Sequence, residues 1–163
     1  MTERKLVPVA SSLTLEQAGA VAAATLAAAR RESLLPLAVA VLDAGGQLVC
    51  YQREDGCGTA RFEIALGKAS AALGMGVSGR TLRDRLGQRV GFQAALAAAT
   101  DGRFVAVPGG VLILDSKGVA IGAVGVSGDA SDCDEFAAIS GVLAAGLTPD
   151  PAEPAPDWKA APL

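Results

Sequence analysis

The chain has 163 residues, of which 51% are hydrophobic and 4% aromatic, with a formal net charge of −3 and no histidine. That length suits one domain with a real core, and the apolar fraction argues against disorder. A mildly acidic chain without a basic stripe lacks the footprint of nucleic-acid binding, and the missing histidine removes Ser-His triads and His metal sites together.

In chain order, Thr14-Leu15-Glu16-Gln17 has the form of a capping box and opens a helix that ends near Arg30-Arg31, where basic residues suit the helix dipole. Pro36 breaks that pattern. Leu37–Leu42 reads as a buried strand, Asp43-Ala44-Gly45-Gly46 as a turn, and Gln47–Gln52 as the returning strand. Apolar residues at helical spacing predict a second helix over roughly Arg61–Leu73, stopped by Gly74, Gly76 and Gly79. Thr81–Leu86 and Val90–Ala99 read as a short and a longer helix, and Arg103–Val107 as a short strand or extended piece. Val111–Leu114 and Val119–Val126 form a second hairpin around Asp115-Ser116-Lys117-Gly118. Ser131 is the expected N-cap of a last helix that runs to about Ala145, with Gly146 as its stop.

Residues 1–147 therefore read as one domain. Residues 148–163, with five prolines and Trp158, read as a tail that is either disordered or laid over another subunit. The expected fold is α+β: an α/β/α sandwich around a five-stranded antiparallel sheet, in a profilin-like layout. Cys50, Cys57 and Cys133 follow no zinc spacing, so no metal site is expected and free thiols in a reducing compartment are. No stretch is long and apolar enough to span a bilayer, which predicts a cytoplasmic protein without membrane contact. Alanine-rich helices and few aromatics leave a monomer little spare burial, which favours a homo-oligomer.

Several segments then add up to a likeness. Val41-Leu42-Asp43-Ala44-Gly45-Gly46, Lys68-Ala69, Val107-Pro108-Gly109-Gly110-Val111, Ile121 to Gly128, and Asp134-Glu135 occur in the order and at the spacings of the GlcG/HbpS family, which includes the C-terminal domain of PduO proteins. The resemblance runs from about Leu13 to Leu147. It implies a five-stranded sheet with flanking helices, self-association, and haem binding as in some members, often near subunit contacts.

The candidate ligand-binding residues are Lys68, Arg103, Gly109, Gly110 and Glu63. Lys68, with Glu63 and Arg61 on the same helix, reads either as part of a solvated face or as a cation meeting a ligand carboxylate, and the family likeness adds weight to the second without displacing the first. Gly109-Gly110 is a turn into a strand, or a place where a ligand meets bare backbone. Arg103 offers its fork of donors to an acidic group. Asp134 and Glu135 are capping acids or, if desolvated, candidate general bases. Without histidine, the side chains left to ligate haem iron are Cys50, Cys57, Cys133, Met75 and Tyr51, plus weaker oxygen donors, so haem binding is expected to be weak. The leading expectation is a non-enzymatic oligomeric module for haem or a small organic acid, in a catabolic or redox-responsive setting. The alternative is a cofactor-independent isomerase, lyase or hydrolase acting on a small carboxylated metabolite.

Overall fold

A computed structural model describes residues 6–163. The first helix, α1 (Leu15–Arg31), begins at a complete capping box: Gln17 N donates to Thr14 Oγ1 at 3.1 Å, and Thr14 N donates to Gln17 Oε1 at 3.0 Å. Two hairpins follow the same plan. β1 (Ala38–Asp43) turns into β2 (Leu48–Arg53), and β3 (Gly110–Leu114) turns into β4 (Ala120–Ser127). In each turn an aspartate oxygen collects two backbone N–H groups, Asp43 from Gly45 and Gln47, and Asp115 from Lys117 and Val119. A glycine at positive φ, Gly46 or Gly118, closes each turn.

α2 (Arg61–Met75), α3 (Gly79–Leu86) and α4 (Val90–Ala99) lie between the hairpins, and α5 (Ser131–Ala144) follows β4. The sheet order is β2-β1-β4-β3-β5, antiparallel throughout, where β5 is Thr148–Asp150. The described residues thus hold five α-helices and a five-stranded antiparallel sheet, the expected α+β sandwich.

Strand periodicity divides the core in two. Val39, Val41, Val111, Ile113, Val124 and Val126 point to α1 and α5, while Leu42, Leu112 and Ala123 point to α2. Because both faces are covered, β1 is a continuous buried run from Ala38 to Leu42. The helices sit very close to their neighbours. A Cβ on Gly125 would lie 1.9 Å from the Ala65 carbonyl oxygen on α2, and one on Gly141 of α5 would lie 2.0 Å from Thr25 Oγ1 on α1. The small-residue composition therefore serves interlayer contact.

Three expectations need correction. Arg103–Val107 is not a strand: its Val105 N–H donates to Gly67 O at 3.2 Å, and Phe104 and Ala106 pack with Leu82 and Leu86 of α3. The fifth strand is instead β5, from the segment read as a tail, with Ile113 opposite Pro149. That segment then lies on its own domain, where Trp158 is buried and stacks on Phe136 with centroids 3.8 Å apart. Finally, Ser131 is not the N-cap of α5. Ala130 holds that position without a side-chain cap.

Candidate functional site

The end of the molecule where α2 and α5 begin carries a dense set of charges. α2 packs on β4, β1 and β3, and Gly109 and Gly110 permit its close approach. Gly109 has φ 104°, and a Cβ there would fall 2.9 Å from Lys68 Nζ and 3.1 Å from the Asp134 Cβ. A Cβ on Gly110 would fall 2.3 Å from the Lys68 carbonyl oxygen. The bare backbone at this turn thus accommodates α2 itself.

Lys68 is 2% exposed, and its Nζ sits 2.8 Å from Asp134 Oδ2. The other Asp134 oxygen accepts the Asp129 N–H at 3.0 Å. Burial pulls the Lys68 ammonium below its ordinary range against the opposing pull of Asp134. Burial also pushes the Asp134 carboxyl up, opposed by Lys68 and by the Asp129 N–H. Next to it Glu135, fully buried, accepts from Arg80 Nε at 3.0 Å and from Arg80 Nη2, whose guanidinium also donates to Glu153 O at 2.9 Å. Burial raises the Glu135 carboxyl despite Arg80, and its Oε2 has no partner among the described residues. Both candidate bases are therefore enclosed in ion pairs.

Outside this buried layer lies a cleft of about 390 Å³, lined by Arg61, Arg83, Pro108, Ser131, Asp132 and Leu163 among others. Arg61 Nη1 donates to Ser127 Oγ at 3.3 Å, and Arg83 is shared between Asp84 at 2.9 Å and Asp132 at 3.3 Å. Two guanidiniums on one rim suit the carboxylates of a ligand.

Of the residues singled out in the sequence, Lys68, Gly109, Gly110, Asp134 and Glu135 come together here. Arg103 does not: it lines a separate cleft of about 310 Å³ formed with the β1–β2 turn and the far end of α2. Glu63 is exposed on the first turn of α2 and makes no hydrogen bond or ion pair among the described residues. Sequence reasoning missed Arg80 and Arg83 as partners of the acids on α5. Their spacing on one face of a short helix, opposite an acid-rich helix start, was the available signal.

The residues fit the carboxylate edge of a porphyrin and not its iron. Cys133 Sγ donates to Trp158 O at 3.4 Å, and Tyr51 packs edge-on to Phe62. None of Cys50, Cys57, Cys133, Met75 and Tyr51 lines either cleft. Among the described residues no helix is long and apolar enough to cross a membrane, and no cluster of metal-ligating side chains occurs.

A family model described as haem degrading protein HbpS-like matches residues 13–143. Similar solved structures include HbpS, 28% identical, with 85% of this chain and 93% of that chain covered and a TM-score of 0.69. A PduOC:haem complex is 23% identical, covers 83% and 96%, and has a TM-score of 0.71. The Klebsiella pneumoniae protein ORFY is 24% identical, covers 90% and 97%, and has a TM-score of 0.71. The likenesses below 25% identity carry the fold alone. No curated protein matches the chain.

Proposed function

The chain belongs to the HbpS-like family, and from that premise we propose that it is a non-catalytic module that binds carboxylate-bearing small molecules, with haem as the leading ligand. The observation that supports this reading is the pair Arg61 and Arg83 on the rim of the cleft beside Pro108. Haem would be held through its propionates: one by the Arg61 guanidinium, which Ser127 orients, and the other by Arg83 in exchange for its exposed contact with Asp84. Haem would supply redox chemistry at its iron when bound. The chain's own contribution is to fix the porphyrin edge and to cover it with Pro108 and the residues after Trp158.

Because none of the cysteines, Met75 or Tyr51 lines this cleft, haem and iron-free protoporphyrin IX are expected to bind with similar affinity, and the dimethyl ester of protoporphyrin much more weakly. Arg61→Gln should weaken haem binding by roughly tenfold or more. Equal binding of the dimethyl ester would refute the reading.

The same proposal includes self-association. Its support is α4, whose ten residues carry no charge and are not buried, with Val90 72% and Phe92 40% exposed. Light scattering should show a dimer or larger species at micromolar concentration, and a monomer would refute this part. The free state of the three cysteines supports a cytoplasmic setting.

A further inference from the structure

The cleft around Arg103 is distinct from the one just described. Arg61 stands at the first turn of α2, whereas Ser70, Leu73 and Gly74 line the Arg103 cleft from its last turns. The twelve residue steps from Arg61 to Leu73 span roughly 18 Å of helix. One small ligand does not bridge the two.

Four features of this cleft point to an occupant. First, Arg103 is exposed and makes no side-chain hydrogen bond or ion pair among the described residues, unlike Arg61, Arg80 and Arg83. Second, among the described residues no carboxylate lines the cleft. Third, the Ser70 hydroxyl and the Gln47 side-chain amide have no hydrogen-bond partner among the described residues, whereas Thr100 Oγ1 already donates to Leu96 O at 2.8 Å. Fourth, Gly46 and Gly74 present open space, since a Cβ at either would meet nothing within 4 Å, and Leu73 supplies an apolar wall. The chain also takes a rarely used conformation to aim Arg103. Asp101 (φ 52°) and Gly102 (φ 78°) are successive left-handed residues after α4, and they return Arg103 N–H to Thr100 O at 3.1 Å.

We propose that this cleft is a second binding site, for a small monocarboxylate with a short apolar body. A single planar guanidinium matches one carboxylate through two parallel hydrogen bonds, and one positive charge balances a monoanion better than a phosphate dianion. Leu73 takes the apolar body, and Ser70 and Gln47 hydrogen-bond the remaining carboxylate lone pairs. This site stands independently of the Arg61–Arg83 reading.

The test is a titration of the full chain with butyrate, with its neutral isostere butyramide and with inorganic phosphate, followed by amide NMR. Butyrate is expected to shift the amides of Gly46, Gly74 and Gly102 saturably. Arg103→Gln, at an exposed position, should weaken that binding by roughly ten- to a hundred-fold. Arg61→Gln should leave it unchanged. Butyramide or phosphate binding as well as butyrate, unchanged affinity in Arg103→Gln, or loss of the shifts in Arg61→Gln would each overturn the proposal.

Discussion

Replacing Lys68 by methionine removes a charge while keeping the length of the side chain and its helix propensity. The pair it breaks has side chains 2% and 1% exposed, with an Nζ–Oδ2 distance of 2.8 Å. A surface pair would be worth about 0–1 kcal/mol. Here the loss strands a carboxylate out of water, and breaking such a buried pair costs about 3–5 kcal/mol. That is a large share of the roughly 5–15 kcal/mol by which domains are stable. The dependence on pH separates this cause from lost packing. Without Lys68 the Asp134 carboxyl, already pushed up by burial, loses its main counterweight. Its folded-state value then stands further above the unfolded one, so the folded variant binds more protons and gains stability as the pH falls. The penalty measured by urea unfolding, against the parent at the same protein concentration, should therefore be largest near pH 7 and shrink towards pH 5. Asp134→Asn leaves the lysine stranded with its value lowered by burial, so its penalty should shrink as the pH rises. The double variant Lys68→Met/Asp134→Leu should recover most of the loss, short of about 1 kcal/mol for the Asp129 N–H left without an acceptor. A Lys68→Met penalty below about 1 kcal/mol, or one that is flat with pH, would refute the reasoning.

Three further outcomes follow from packing and burial. Gly125→Ala should destabilise by about 3 kcal/mol or more in thermal or urea unfolding, since its Cβ would meet the α2 backbone at 1.9 Å, whereas Gly19→Ala, with nothing within 4 Å, should stabilise by about 0.5–1 kcal/mol. Trp158→Ala should cost about 3 kcal/mol, and emission from this sole tryptophan should resist aqueous quenchers in the parent; ready quenching in the native state would contradict its stacking on Phe136. Cys133, whose thiol burial pushes up to about 11, should stay unlabelled by a thiol reagent at pH 8 until the protein unfolds, while Cys50 and Cys57 react first. Equal native rates for all three thiols would be the contrary result.

What was legible in the sequence was local. The Thr14–Gln17 capping box and the two Asp-x-x-Gly turns hold their hydrogen bonds within four residues, so their chemistry is written in adjacent letters. The ion pairs are not: Lys68 and Asp134 are 66 residues apart and Arg80 and Glu135 are 55 apart. Lys68 shows why spacing misleads here. Its neighbours in sequence include Glu63 and Arg61, and a charged residue on a helix usually marks the wet face, yet α2 packs so closely on glycines of β3 and β4 that this face is interior. Arg103, also a candidate ligand-binding residue in the sequence, stands apart from Lys68 because it sits with Ser70, Leu73 and Gly74 towards the other end of α2. The tail misled for a different reason. Proline-rich sequence argues against regular structure in general, but an edge strand needs hydrogen bonds on one side only, so Pro149 is tolerated there.

That edge has a consequence for how the protein survives in a crowded solution. Gly110–Leu114 is an uncharged, strongly β-forming run, and of its two flanks one is paired with β4 while the other is covered only by Thr148–Asp150. Release of those three residues, through loss of the Trp158 anchor or proteolysis between them and α5, would bare the backbone of Leu112 and Leu114 as a template for strands of other molecules. The opposite edge, β2, is broken by a register irregularity beside Val41 and ends in Arg53, both of which discourage such pairing. The proline-bearing segment after α5 thus guards the more aggregation-prone side of the sheet. Variants that loosen it should precipitate on storage or heating before they lose their helices.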